Sequence, residues 1–157
     1  MAKRSLRIFL DSNVILSGLI SRKGAPRLIL DILSLDLPIL SGLTGRYNLI
    51  EIERNIGKKM PDALPVFRHY MPKLKLEVIS VPTPEELASF KGAVGDKDLP
   101  VLVSVVNGQA DYFVTGDKYL ISQIGQKGGF SFKAVSPADL LDKMLPAILG
   151  ENRPFPL

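Results

Sequence analysis

The hydrophobic residues of this chain fall into short uninterrupted runs separated by longer segments of helical periodicity. Runs that are apolar throughout, rather than at every second position, are typical of strands buried on both faces of a parallel sheet. The pattern predicts strands at residues 7–10, 37–40, 74–81, 111–116 and 130–135.

Helical periodicity, capping residues and prolines predict helices in the segments between these strands. The predicted helices span residues 14–20, 26–35, 44–59, 63–70, 85–90, 98–107, 118–124 and 136–145. Strands that alternate with helices in this way indicate an α/β domain with a central, mainly parallel sheet between two helical layers. We expect a single domain over residues 1–145 and an extended, proline-rich tail over residues 146–157.

Composition restricts the chemistry that such a domain can perform. The 157 residues contain no cysteine and one histidine, His69, which excludes disulfide scaffolds, cysteine nucleophiles and cysteine- or histidine-rich zinc sites. No apolar run approaches the roughly 18–20 residues of a membrane span, and the first residues lack a signal-peptide core, so we expect a soluble cytoplasmic protein. Twenty basic against sixteen acidic residues give a net charge of +4, which mildly favours a polyanionic partner.

Acidic residues follow two of the predicted strands. Asp11 ends the strand at 7–10, and Asp117 follows the strand at 111–116. Because parallel strands present their carboxyl ends at one edge of the sheet, we expect these two carboxylates to lie close together. Asp98 and Glu51 lie on helices that can reach the same edge.

Each of these acids also has a purely structural interpretation. Asp11, Asp98 and Asp117 stand at predicted helix starts, where aspartate is a preferred N-cap that contributes about 1 kcal/mol. Glu51 would then be an ordinary solvated helix residue. Capping and metal binding are compatible, so this interpretation does not exclude a functional one.

A cluster of such acids would need a counter-charge. Two carboxylates about 4 Å apart repel by roughly 4 kcal/mol at an effective dielectric of 20. A cluster therefore takes up protons or binds a cation. An all-oxygen ligand set suits Mg²⁺ or Mn²⁺ better than Zn²⁺, and a hard cation in a basic protein points to phosphate chemistry.

Four segments resemble the motifs of PIN domains, in particular the toxin-component PIN proteins of prokaryotes. They are residues 9–15 (FLDSNVI), 51–56 (EIERNI), 98–102 (DLPVL) and 110–117 (ADYFVTGD). Their order and spacing match over roughly residues 6–140, and the Val-Thr-Gly-Asp ending of the last segment is the most specific part.

The resemblance implies a Rossmann-like α/β/α fold and a metal-dependent ribonuclease that cleaves single-stranded RNA. The implied quartet that holds Mg²⁺ or Mn²⁺ is Asp11, Glu51, Asp98 and Asp117. Asn13 and Thr115 would orient the acids or the attacking water by hydrogen bonds. The resemblance also implies a homodimer and a cognate antitoxin whose segment crosses the active groove.

Two members of the quartet have alternates. Glu51 and Glu53 are about 200° apart on a helix, so only one of them can face the site. The helical wheel places Glu53 nearer the apolar face, whereas the register of the resemblance favours Glu51. Asp96 is an alternate for Asp98, which the predicted helix start prefers.

Basic residues near the predicted catalytic edge are candidates for contacts with RNA phosphates. They are Arg22, Lys23, Arg27 and Lys118, although dispersed basic residues also serve solubility alone. Tyr119 is a candidate for base stacking, but a core position is the preferred prediction. We expect His69 to be a surface or packing residue rather than a general base.

Other functions fit the sequence less well. A haloacid-dehalogenase-like phosphatase needs a second acid two residues after the first, where this chain has Asn13. A phosphoacceptor receiver domain needs an acidic pair before its acceptor strand, and residues 3–5 offer none. A PIN-like RNA-binding or scaffold protein without turnover remains the alternative to the nuclease.

Overall fold

In the described part of the chain, five parallel strands form the central sheet. The computed structural model describes residues 5–150, without the side chain of Ala147. The strands are β1 (Leu6–Leu10), β2 (Leu40–Gly45), β3 (Glu77–Ile79), β4 (Tyr112–Val114) and β5 (Lys133–Val135). Their order in the sheet is β3-β2-β1-β4-β5.

Helices flank the sheet on both faces. They are α1 (Ser12–Ile20), α2 (Ala25–Ser34), α3 (Arg46–Lys59), α4 (Leu64–Tyr70), α5 (Pro84–Ser89), α6 (Leu99–Asn107), α7 (Lys118–Lys127) and α8 (Pro137–Ile148). Two 3-10 turns, Pro61–Ala63 and Met71–Leu74, flank α4. None of the helices in the described part of the chain combines the length and the apolar character needed to cross a bilayer.

Alternate residues of β1 and β4 enter two separate hydrophobic cores. Ile8 and Leu10 pack with apolar residues of α1, α2, α3 and α8 on one face. Phe9 packs on the other face with residues of α6 and α7, and its ring meets that of Phe113 edge-on at 5.9 Å. The predicted α/β fold with a helix layer on each face is therefore confirmed.

The chain changes direction of winding between β1 and β4. The sheet first grows from β1 through β2 to β3, and the chain then returns to the other side of β1 to add β4 and β5. Phe9 is paired with Leu43 of β2 on one side and with Phe113 of β4 on the other. Such a switch point opens a crevice at the carboxyl ends of the two strands that meet there.

The second strand does not lie where the sequence predicts it. The prediction was 37–40, but β2 runs from Leu40 to Gly45. Its small residues resemble a turn, yet they lie against packed side chains: a Cβ on Gly42 would come within 2.7 Å of the Leu76 side chain and 3.0 Å of the Leu33 side chain. The Thr44 hydroxyl is fully buried and donates to the Leu10 carbonyl at 2.9 Å.

The last helix is longer than predicted. Pro146 was expected to begin an extended tail, but it lies inside α8, which continues to Ile148. A proline within a helix removes one backbone donor and clashes with the preceding turn. It can kink a helix without ending it, and α8 continues past Pro146. The rest of the predicted tail, residues 151–157, lies outside the described residues.

Candidate functional site

Asp11 lies at the carboxyl end of β1 and caps α1. Its backbone N–H donates to the Val114 carbonyl of β4 at 2.9 Å, so the residue is fixed at the switch point between the two strands. Its Oδ1 accepts a hydrogen bond from the Ser12 backbone N–H at 2.8 Å. The N-capping predicted for this residue is therefore present, and it occupies only part of the carboxylate.

The second oxygen of Asp11 is held by side chains from two strand ends. Thr115, fully buried after β4, donates its hydroxyl to Asp11 Oδ2 at 2.7 Å. Asn13 Nδ2 approaches the same oxygen at 3.3 Å, while Asn13 Oδ1 accepts from the Gly116 N–H at 2.9 Å. Asn13 and Thr115 are thus both in positions to orient Asp11.

Asp117 follows β4 and caps α7. Its Oδ1 accepts from the Leu120 N–H at 3.1 Å, and its own N–H donates to the Thr115 hydroxyl at 3.1 Å. Thr115 therefore contacts both Asp11 and Asp117. Because β1 and β4 are adjacent and parallel, the two aspartates leave the sheet at the same edge.

Asp98 occupies the N-cap position of α6 but makes no capping hydrogen bond with its side chain. The predicted capping role is wrong for this residue. Burial raises the pKa of the Asp98 carboxyl, Lys97 lowers it and Asp117 raises it. Asp96, the alternate, is exposed in the turn before α6.

The two glutamates of α3 point to different surroundings. The Ser12 hydroxyl lies 3.5 Å from Glu51 Oε1, which places Glu51 beside the residue that follows Asp11. Glu53 instead pairs with Arg68 at 3.1 Å and lines a groove of about 350 Å³ between α3 and α4. Of the two, Glu51 is the one that lies at the strand ends.

Mutual repulsion links the four acids. Burial raises the pKa of Asp11; the Thr115 and Ser12 hydrogen bonds lower it, and Asp98 and Asp117 raise it further. Burial is also the largest cause of the raised pKa of Glu51. The charge of Asp11 raises this pKa further, and the charge of Asp98 makes a smaller contribution in the same direction. The carboxyls of Asp11, Glu51 and Asp98 therefore each have a pKa above the ordinary value, chiefly because of burial and further because of their acidic neighbours.

The donor chemistry of this cluster fits a hydrated hard cation rather than a closed metal cage. Within residues 5–150, no three His, Cys, Asp or Glu side chains form a ready-made metal-binding group. Mg²⁺ is usually held by one or two carboxylates and keeps several waters, so it does not require three converging side chains. Carboxylates that repel one another supply the negative potential that attracts such an ion.

Two residues near the acids were missed by the sequence reasoning. Asn48, on α3, is fully buried and donates from Nδ2 to Asp11 Oδ1 at 3.2 Å and to the Ser12 hydroxyl at 2.9 Å. It precedes Glu51 by three residues, and this spacing places two side chains on one helix face.

Burial raises the pKa of the Tyr47 phenol, and the charge of Glu51 raises it further, so Tyr47 lies in the same negative field.

The predicted phosphate-binding residues fall into two groups. Arg22 and Lys23 are exposed in the loop between α1 and α2, and Lys118 is exposed immediately after Asp117. Arg27, in contrast, pairs with Asp31 and stacks on the Tyr70 ring, so its guanidinium is occupied within the protein.

Two further aromatic and basic residues have clear positions. Tyr119 is 72% exposed beside Lys118, so the preferred prediction of a core position is wrong. His69 is exposed on α4, in agreement with a surface role.

Comparison with known proteins identifies the fold. No protein-family model matches the chain, and no curated protein matches it. Two solved structures are similar: VapBC2 from Rickettsia felis bound to a DNA fragment from its promoter, and DNA-bound VapBC from Salmonella typhimurium. The first is 13% identical with a TM-score of 0.60, covering 83% of this chain and 98% of that chain. The second is 16% identical with a TM-score of 0.60, covering 84% and 98%.

At these identities the similarity shows the fold. The chain has the PIN-like α/β fold that the sequence motifs indicated.

Proposed function

We propose that this PIN-fold chain is a metal-dependent endoribonuclease that cleaves single-stranded RNA. The observation that carries the proposal is the surroundings of Asp11: four hydrogen-bond donors orient its two oxygens, while three other acids lie in the same field. Acids with pKa values raised by burial and by one another are a hallmark of functional sites.

Asp11, Glu51, Asp98 and Asp117 are the acids that would hold Mg²⁺ or Mn²⁺, one or two of them directly and the others through the waters of the ion. Bound there, the ion would activate a water and balance the negative charge that develops on the phosphate during in-line displacement. The hydrogen bonds of Thr115 and Ser12 keep Asp11 in one orientation. Asp98 has no capping bond to give up, which leaves its carboxylate available.

The surroundings of the acids suit a flexible polyanion. Lys118 is exposed next to Asp117, and Arg22 and Lys23 are exposed in the loop between α1 and α2, so these side chains are available to contact phosphates. Tyr119 adds an exposed ring, and stacking on aromatic side chains is a sequence-tolerant way to bind unpaired bases. Together these features favour a single-stranded substrate over a rigid duplex.

A role as the toxin of a toxin–antitoxin pair belongs to the same proposal. Its support is the similarity in fold to two VapBC complexes. We expect a homodimer that a cognate antitoxin binds and inhibits, and light scattering of the protein alone and with a candidate antitoxin tests both expectations.

The experiment is an RNA-cleavage assay with end-labelled single-stranded RNA, duplex RNA and single-stranded DNA. We expect the single-stranded RNA to be cut in Mg²⁺ or Mn²⁺ and to stay intact in EDTA. RNA binding without metal-dependent cleavage would overturn the nuclease and support a PIN-like RNA-binding or scaffold protein without turnover. Equal cleavage in EDTA would contradict the metal dependence.

A further inference from the structure

We infer that Asn48 is a positioning residue that fixes two acids of the centre, Asp11 and Glu51, relative to each other. This inference rests on the proposed function, because it assigns Asn48 a part in the same centre. Asn48 lies in the first turn of α3 and is fully buried. Its side chain contacts Asp11 at the end of β1 directly and is linked to Glu51 on α3 through Ser12.

The amide of Asn48 has one orientation that its surroundings allow. Asp11 Oδ1 lies 3.2 Å from Nδ2, and an ionised carboxylate only accepts hydrogen bonds, so the NH₂ group must face it. The opposite amide orientation would place two acceptors against each other. The hydrogen-bond network therefore determines the direction of the side chain.

This orientation leaves the other end of the amide without a hydrogen bond. Asn48 Oδ1 is buried and has no partner among the described residues. It points toward Gly45, where a Cβ would come within 2.7 Å of it, so the glycine leaves the space that this oxygen occupies. A buried amide oxygen without a partner destabilises a fold, so its presence needs a reason. The reason here is that the amide must turn its Nδ2 toward Asp11 and Ser12 to make its two hydrogen bonds.

Asn48 also controls the hydroxyl of Ser12. Its Nδ2 donates to Ser12 Oγ at 2.9 Å, so the hydroxyl proton is directed elsewhere. The available acceptors are Glu51 Oε1 and the Asn48 carbonyl, both at 3.5 Å. One side chain thus contacts Asp11 directly and Glu51 through Ser12.

No other donor to Asp11 comes from α3. The Ser12 N–H and the Asn13 amide belong to the β1–α1 junction, and the Thr115 hydroxyl follows β4. These groups fix Asp11 with respect to the strands. Asn48 is the contact, within residues 5–150, that fixes Asp11 with respect to the helix carrying Glu51.

The decisive variant is Asn48→Leu, which keeps the branching and the number of heavy atoms of the side chain and removes both its bonds and its unpartnered oxygen. We expect a protein that still folds, a kcat for RNA about 10–100-fold lower with KM unchanged, and Mn²⁺ binding at least about tenfold weaker. The matched control is Thr44→Val, which removes another fully buried hydrogen bond at the β2–α3 junction without touching an acid. Its kcat and Mn²⁺ affinity should equal those of the wild type.

A measurement on the metal-free protein provides a readout independent of cleavage. The side-chain amide resonances of Asn48 should shift in Asp11→Asn and stay in place in Thr44→Val. Unchanged resonances in Asp11→Asn, or wild-type kcat and Mn²⁺ affinity in Asn48→Leu, would overturn the inference while leaving the nuclease intact. A wild-type protein that neither binds Mn²⁺ nor cleaves RNA would overturn the proposed function and the inference with it.

Discussion

Thr115 donates its hydroxyl to Asp11 Oδ2 at 2.7 Å and accepts the Asp117 N–H at 3.1 Å. One buried hydroxyl therefore links the acids that follow two adjacent parallel strands. The relationship depends on the sheet order, because only neighbouring strands bring Thr115 within reach of Asp11.

Thr115→Val tests this link. Valine keeps the shape of threonine but leaves Asp11 without one of its four donors and the Asp117 N–H without its acceptor. We expect a loss of about 1–3 kcal/mol in the free energy of unfolding and a kcat about 10–100-fold lower. Urea unfolding and RNA-cleavage kinetics measure the two effects. Wild-type cleavage by a correctly folded Thr115→Val would show that the hydroxyl does not orient the centre.

Glu51→Gln and Glu53→Gln form a matched pair on the same helix. Glu51 lies beside Ser12 at the strand ends, whereas Glu53 pairs with Arg68 away from them. Partly exposed ion pairs contribute about 0–1 kcal/mol, so Glu53→Gln should cost little stability and no activity. Glu51→Gln should lower kcat by at least about tenfold, because it removes one of the charges that would hold the metal ion. Equal activity of the two variants in a cleavage assay would remove Glu51 from the quartet.

Asp98→Asn should lower RNA cleavage and raise the stability of the metal-free fold. The carboxylate of Asp98 makes no capping bond, and its pKa is raised by burial and by Asp117. Removing its charge should therefore stabilise the metal-free fold slightly while abolishing most cleavage.

The exposed neighbour Asp96 provides the control for Asp98. Asp96→Asn should leave both the melting temperature and the cleavage rate near their wild-type values. Loss of cleavage in Asp96→Asn with a fully active Asp98→Asn would reverse the assignment of these two residues.

The stability of the metal-free protein should rise as pH falls below neutral. Burial raises the pKa values of Asp11, Glu51 and Asp98, so the folded state binds more protons than the unfolded state between their ordinary and raised values. The free energy of unfolding then decreases as pH rises through that window and the folded carboxyls ionise.

Urea unfolding of the wild type and Asp98→Asn at pH 7 and at about pH 4, near the ordinary pKa of an aspartate, tests this expectation. The difference between the two proteins cancels the contribution of groups elsewhere. We expect Asp98→Asn to stabilise the protein more at pH 7 than at the lower pH. A difference that is constant with pH would show that Asp98 is not repelled in the folded state.

Binding of RNA should depend strongly on salt through the exposed basic residues. Replacing Arg22 and Lys23 together by alanine removes two candidate phosphate contacts. The slope of log affinity against log salt should then fall by roughly 1.4, since each contact to a single strand contributes about 0.7. Arg27→Ala should instead lower stability, because Arg27 contacts Asp31 and the Tyr70 ring. An unchanged slope in the double variant would place the RNA elsewhere.

Much of the fold follows from residue patterns that act locally. The apolar run at Leu6–Leu10 predicts a buried strand, and the acid that ends it predicts the edge at which Asp11 emerges. The second strand was misplaced because its Ser-Gly and Thr-Gly pairs are turn residues in most contexts. Only the tertiary contacts of Gly42 with Leu33 and Leu76 show why small residues are needed in this strand.

The details of the site depend on contacts between residues distant in sequence. Asn48 looks like a solvated helix residue until α3 is placed against Asp11, 37 positions away. Arg27 looks like a free cation until α4 brings the Tyr70 ring beneath it. Periodicity predicts which face of a helix is buried, but it does not predict which polar group meets that face.

The most direct test of the account is RNA cleavage by the wild type and Asp11→Asn in Mn²⁺, with Mn²⁺ binding measured by calorimetry on the same samples. We expect wild-type cleavage that EDTA stops, and in Asp11→Asn at least a tenfold loss of both cleavage rate and Mn²⁺ affinity. Full activity and unchanged Mn²⁺ affinity in a folded Asp11→Asn would contradict the assignment of the centre.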